Sequence, residues 1–201
     1  YMQVTRGVAP RDHPFPKKPV APGLMVTAKN LPGYPADVDA WAAKAILHPD
    51  LRWERRDIKS TNLLPNVLAK QAAREAGAIE AILYDQASGL VTEGAATSFW
   101  IVDEHGTLRT RRLSNAILPG CTRAALMQEL RDAGIPWREE PFSVEETKRA
   151  REAFITSATS YVRPIVALDG QPIGDGRVGP VTRRLFEIFG RHVKGDMRNA
   201  A

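Results

Sequence analysis

The sequence predicts an α+β fold, and three observations carry that prediction. Short stretches alternating between apolar and polar residues recur along most of the chain, segments with helical apolar spacing stand among them, and the two kinds do not follow the regular strand-helix-strand rhythm of a doubly wound sheet. With 201 residues, 43% hydrophobic and 25% charged, the chain is long enough for one large domain or two small ones around a real core.

Met2 to Val8 and Leu24 to Ala28 read as strands, separated by the proline-rich loop APRDHPFPKKPVAPG. The segment KNLPGYPADVD, with two prolines and a glycine, reads as a linker. After it, AWAAKAILHPDLRW fits helix or strand equally by periodicity. The stretch RRDIKSTNLLPNVLAKQAAREAGA holds a lysine, Lys59, between Ile58 and Ser60, where a strand end is expected to turn into the interior. Leu63 to Ala76 reads as a helix. Leu64, Val67, Leu68, Ala72 and Ala76 recur on one face, Pro65 stands in its permitted first turn, and Gly77 can end it.

Next, IEAILYD, LVTEG and SFWIVD read as strands, and DEHG at Asp103 to Gly106 as a hairpin turn. Gly120 precedes a helix over Thr122 to Ala133, with Leu126, Met127 and Leu130 on one face. Ser143 and Glu146 have the spacing of a capping box for a short helix, VEETKRA. AFITS and RPIVALDG read as further strands, and Pro180 opens a last helix, VTRRLFEIFGRHV. The glycines of GDGRVG lack the spacing and the following helix of a dinucleotide fingerprint, so a surface turn is expected there.

Composition narrows the function. No apolar run is long enough to span a bilayer and no basic-then-apolar leader is present, so a soluble cytoplasmic protein is expected. The single cysteine, Cys121, excludes an internal disulfide framework, and His13, His48, His105 and His192 are too scattered for zinc, so no metal site is expected. A net charge of +5 raises nucleic-acid binding as a reading. The richest basic stretch, Arg109, Arg111 and Arg112 with Arg123 beyond, has no interleaved aromatic ladder, and a solvated surface explains it better. The chain opens on YMQVTRGVAP, an alternation already in progress without an initiator methionine; a piece of a longer protein, or a chain whose start is missing, is the expectation.

DIKSTNLLPNVLAKQ, VTEGAATSFW, LSNAILPGCTR and FITSATSYVRPIVALDG, in this order and at this spacing, resemble the class IV aminotransferases, the fold-type IV enzymes dependent on pyridoxal 5'-phosphate (PLP). VTRGVAPRDHPFP is most similar to the D-amino acid aminotransferases among them. The resemblance implies a fold-type IV carboxy-terminal domain over residues 39–201, a linker at 31–38, and the last strands of an otherwise absent amino-terminal domain over 1–30. It also implies a homodimer, with no nucleic acid or membrane as partner.

By the same resemblance, Lys59 forms the Schiff base with PLP. A neutral amine is needed for that, and partial burial near cations would favour it; once freed, the amine can move the proton between the substrate α-carbon and the cofactor. Glu93 would pair with the ring nitrogen and keep it protonated. Leu118 would lie against the ring, and Gly120, Cys121 and Thr122 would cup the phosphate at a helix start, where free amides and the helix dipole favour an anion. Ser157 would also touch the phosphate, next to Ala158 where relatives often carry a hydroxyl, and the amides of Thr159 and Ser160 would border the substrate carboxylate. Arg11 and His13 match an Arg-x-His pair that binds the α-carboxylate in the D-amino acid enzymes, a task suited to a planar, bidentate guanidinium.

The implied reaction is transamination between a D-alanine-like amino acid and a 2-oxo acid. The alternatives within the fold are a branched-chain or (R)-amine aminotransferase or an aminodeoxychorismate lyase; outside it stand a basic nucleic-acid-binding module and a catalytically silent fragment.

Overall fold

The computed structural model describes residues 1–195. The chain divides into two compact units, Tyr1–Gly33 and Tyr34–Ala201, and the division falls within segment 31–38. In the first unit, β1 (Met2–Thr5) and β2 (Gly23–Val26) form an antiparallel pair running from Met2 opposite Val26 to Thr5 opposite Gly23. The proline-rich loop joins them, with the Arg6 guanidinium 3.8 Å from the centre of the Phe15 ring.

The second unit begins with a single helical turn, α1 (Val38–Trp41), capped by the Asp37 carboxylate, which accepts the Asp39 amide at 2.9 Å. The ambiguous segment after it is a strand, β3 (Ala43–Pro49). Then follow α2 (Leu64–Glu75), β4 (Glu80–Tyr84), β5 (Val91–Gly94), β6 (Ser98–Val102) and β7 (Leu108–Thr110). The chain continues through α3 (Cys121–Asp132), β8 (Trp137–Glu139) and α4 (Val144–Lys148). It closes with β9 (Glu152–Ser157), β10 (Tyr161–Leu168), β11 (Gln171–Pro172) and α5 (Pro180–Val193). The strands form one sheet in the order β5-β4-β3-β10-β9-β6-β7-β8, with β11 paired to β10. β3 runs parallel to both β4 and β10, and β7 parallel to β8, whereas β9 is antiparallel to both its neighbours. The mixed sheet agrees with the α+β reading. The short strands β8 and β11 were not anticipated, and β7, the return strand of the DEHG hairpin, was given no bounds: at two or three residues each, alternation has too little length to register.

Period two along β6 and β9 separates the core into two faces. Trp100, Val102 and Phe154 pack with Leu126, Leu130, Leu185 and Phe189 of α3 and α5. Their neighbours Phe99, Ile101, Ala153 and Ile155 turn the other way, against Phe142 and Ile173. The indole of Trp100 lies stacked on Phe154 at 5.6 Å and donates to the Thr156 hydroxyl at 3.0 Å, so its one polar atom is satisfied inside the core. Among the described residues no helix is long and apolar enough to cross a membrane.

Three expectations need correction. α2 forms where predicted, but its buried residues are Ala69 and Ala73, packed on Ala81 and Leu83 of β4, while Leu64 (66% exposed), Val67 and Leu68 face outward. Small residues let the helix backbone approach the strand, and closeness rather than side-chain size decided the face. β3 ends at Pro49, so Ile58 and Lys59 stand on the loop before α2, both exposed, rather than at a strand end turning inward. The basic stretch is not a solvated surface either: Arg123 is buried and donates to Glu139 and the Arg111 carbonyl, Arg109 is held by Glu146 and the Pro141 carbonyl, and Arg111 reaches the Val91 carbonyl. Only Arg112 of that group is exposed. The capping box of α4 is present as read, with Ser143 Oγ accepting the Glu146 amide at 3.1 Å and Glu146 accepting the Ser143 amide at 2.8 Å.

The start of α5 depends on β9. The buried Glu152 carboxylate accepts the amides of Val181 and Thr182 at 3.0 and 2.7 Å, taking the role that the cap residue Gly179 cannot fill. A β-carbon on Gly179 would stand 2.1 Å from the Glu152 carboxyl carbon, so only glycine lets the carboxylate approach. Glu152→Ala leaves those amides without their acceptor and should lower the unfolding free energy by about 1–3 kcal/mol. Urea denaturation at unchanged slope measures the shift, and a midpoint equal to that of the parent protein would show that the cap contributes nothing.

Candidate active site

Glu93 lies on β5 and is 5% exposed, so its carboxylate must be partnered to remain charged. Two neighbours provide for it. Arg52, on the loop after β3, donates Nη1–H to Oε1 at 2.6 Å. The Leu118 amide, on the loop leading into α3, straddles both oxygens at 3.1 and 3.2 Å. Arg52 is itself fixed by Asp50, which accepts Nε–H at 2.9 Å and Nη2–H at 2.8 Å. Asp50 also takes the Thr92 hydroxyl at 2.7 Å and stands 3.1 Å from Arg56 Nε. Arg56, Asp50, Arg52 and Glu93 therefore form a ladder of alternating charge.

Burial and pairing compete along the ladder. At Glu93 burial prevails and pushes the carboxyl up, while the Arg52 guanidinium and the Leu118 amide pull it back. At Asp50 burial also pushes upward, but Arg52, the Thr92 hydroxyl and Arg56 together outweigh it and hold the group below the usual aspartate range. Burial acts to lower Arg52, and its two carboxylate partners more than reverse that.

The phosphate-binding candidates lie close by in the topology. Gly120 caps α3 with no side chain satisfying the first amides, so those of Cys121 and Thr122 stand at an open helix start. A β-carbon on Gly120 would meet Ser98 Oγ at 2.8 Å, which ties the helix start to β6. Ser98 is opposite Thr156 in the ladder to β9, and Ser157 is the next residue along. Ser157 Oγ accepts the Ser160 amide at 3.0 Å, leaving its own proton free to donate. That same bond occupies the Ser160 amide, which had been expected to face a carboxylate. Ala158 and Thr159 are exposed on the β9–β10 turn. A cavity of about 180 Å³ opens here among Lys70, Glu80, Thr97, Ser157 and Thr159.

The structure thus brings Glu93, Leu118, Gly120, Cys121, Thr122 and Ser157 onto adjoining elements of one unit. Lys59 is on the exposed loop before α2, so partial burial, expected for a reactive amine, is not found among the described residues. Arg11 and His13 belong to the first unit, both exposed; the His13 amide donates to Asp12 at 2.8 Å. Asp50, Arg52 and Thr92 escaped the sequence reading. The string HPDLRW offers no spacing that ties an aspartate or arginine to a glutamate forty residues on.

The amino-transferase class IV profile matches residues 1–168. The chain belongs to the class IV aminotransferases. These enzymes depend on PLP. The D-alanine aminotransferase of Staphylococcus haemolyticus is 42% identical over 194 residues, an alignment covering 96% of this chain and 67% of that protein. Among solved structures, the branched-chain amino acid aminotransferase of Thermobaculum terrenum in its PLP form is similar with a TM-score of 0.67 at 26% identity, covering 77% of this chain and 52% of its own. The Escherichia coli branched-chain enzyme is similar with a TM-score of 0.67 at 29% identity, with 80% and 55% covered. The chain therefore spans about two thirds of the length of that curated class IV relative and about half of those structures.

The donor set fits the cofactor of the family. An uncapped helix start with the Thr122 and Ser157 hydroxyls suits a phosphate, and a buried carboxylate with acceptor capacity to spare suits a protonated ring nitrogen.

Since Asp50 has a lower pKa folded than unfolded, its stabilisation is full above the ordinary aspartate range and is lost as the pH falls through the depressed folded value. The stability gap between the parent protein and Asp50→Asn should stay constant from neutral pH down to about pH 5 and narrow below about pH 4. Chemical denaturation across that range measures it; a gap that does not change down to the acid transition would mean that Asp50 is not an ionised partner.

Proposed function

We propose that this chain supplies the cofactor-binding machinery of an aminotransferase that moves an amino group between a D-alanine-like amino acid and a 2-oxo acid. The observation that carries the reading is the 42% identity to a D-alanine aminotransferase over 96% of the chain, a span that takes in the loop of Arg11 and His13.

When bound, PLP supplies the electron sink for the carbanion left by loss of the substrate α-proton. The residues of this chain do the rest. Lys59 would hold the cofactor through Nζ, and its amine, when free, would move a proton at the substrate α-carbon. Glu93 would accept a hydrogen bond from the ring N–H and so keep that proton in place. Leu118 fixes Glu93 through its amide, and its side chain would border the ring. The amides of Cys121 and Thr122, with the Thr122 and Ser157 hydroxyls, would hold the phosphate; Ala158 would contribute no side-chain donor. Cys121 acts through its backbone, although its side chain is exposed. Arg11 and His13 bind the α-carboxylate, and the Thr159 amide borders the substrate, the Ser160 amide being taken up by Ser157. The enzyme works as a homodimer in the cytoplasm.

The likeness to branched-chain enzymes favours a second reading, in which an L-branched-chain amino acid is the donor. Lys59 and Glu93 serve both readings equally; handedness turns on where the carboxylate is held.

Two measurements on the full-length enzyme test the proposal. Lys59→Ala should abolish transamination and leave no cofactor that borohydride can fix to the protein; fixation at normal yield would move the attachment to another lysine. Arg11→Leu should lower kcat/KM for D-alanine by about 10- to 100-fold through a lost charge-assisted hydrogen bond, and affect amines without a carboxylate far less. L-leucine as the best donor, with Arg11→Leu nearly silent, would establish the branched-chain reading instead.

A further inference from the structure

The interior around Glu93 contains more machinery than holding one carboxylate requires. The Asp50 side chain has no exposed surface, Arg52 retains 9% and Glu93 6%. Every N–H-bearing nitrogen of the Arg52 fork is committed: Nε and Nη2 to Asp50, Nη1 to Glu93. The fork cannot turn without breaking charge-assisted bonds in a site from which water is largely excluded. Glu93 Oε1 receives both Arg52 and the Leu118 amide, while Oε2 receives only the longer Leu118 contact at 3.2 Å. One oxygen is thus tied to the protein and the other keeps acceptor capacity for a ligand.

We infer that Asp50 and Arg52 form a positioning pair that sets the proton affinity of Glu93, with Arg52 keeping it ionised and Asp50 limiting how strongly Arg52 does so. This rests on the proposed role of Glu93 toward the cofactor ring nitrogen. A carboxylate that is too weak a base would not hold the ring proton; one left without its cation in this interior would take up a proton of its own and lose its charge. Sharing one guanidinium between two carboxylates gives an intermediate strength. Arg52 touches neither substrate nor reacting atoms in this scheme; it acts through Glu93.

The other charges nearby come from separate elements. Arg56 lies against Asp50, and Arg111, between β7 and α3, donates to the Val91 carbonyl within the electrostatic reach of Asp85 and Asp50. None of these contacts Glu93 directly among the described hydrogen bonds, so Arg52 and Asp50 are the neighbours whose removal should shift it most.

The two substitutions should act in opposite directions, which a merely structural role would not produce. Arg52→Gln removes the cation and should raise the proton affinity of Glu93 about tenfold or more; Arg52→Lys keeps the charge without the fork and should raise it less. Asp50→Asn removes a competing anion and should lower it. Infrared difference titration of the cofactor-free protein reads this directly, with Glu93→Gln identifying the band. The same variants loaded with PLP should shift the pH dependence of the visible absorption in the same order. If Arg52→Gln does not fold, the opposite movements of Arg52→Lys and Asp50→Asn still decide. Shifts in one direction for both, or none in either, would overturn the inference. A normal cofactor-free titration series, in a protein that takes up no PLP, would instead sink the proposed function and leave the coupling between these residues intact.

Discussion

A carboxylate sealed inside a protein must find its partners or give up its charge, and Glu93 organises its surroundings on that condition. Its partners come from opposite directions in the chain. Arg52 arrives on the loop after β3 and Leu118 on the loop that enters α3, so one side chain pins both loops to β5. Asp50 extends the constraint, since the arginine that serves Glu93 is itself held by a second buried acid, which in turn takes the hydroxyl of Thr92, the residue before Glu93. The ladder closes on β5 at two successive residues.

Around that point the sheet supplies rigidity. β9 and β6 lie side by side in the middle of the order, each with alternate residues buried on opposite faces, so neither can slip by one residue without turning Trp100 and Phe154 out of the core. The same register places Ser98 opposite Thr156, and Ser98 meets the turn that starts α3. The open amides of Cys121 and Thr122 are consequently fixed to the strand that ends in Ser157. α5 is attached to this arrangement through Glu152, which caps its first turn from the opposite end of β9.

Much of this was legible beforehand. Residues 121–132 and 144–148 form helices because local signals agree: a glycine before an apolar helical period in the first, a reciprocal capping box in the second. The candidate site residues that resemblance could name were those that sit in short contiguous strings, such as Glu93 before Gly94 or Gly120 before Cys121. The face of α2 was misread for a physical reason. Leucines and valines mark an apolar stripe, yet Ala69 and Ala73 are buried because their small side chains permit close approach to β4. The arginines of 109–123 were misread for a related one: charge in a sequence string looks the same whether it meets water or a carboxylate.

The sequence by itself determined the family and the longer elements in their order, apart from β3, since periodicity, capping residues and contiguous motifs are local and survive without coordinates. Only the tertiary structure decided which residues partner Glu93. Asp50, Arg52 and Leu118 lie far from it along the chain, and a buried ion ladder is a relation between distant positions that leaves no spacing behind. It exists because folding removes water from all four charged groups together, and each must then be neutralised by whichever group the sheet has brought within reach.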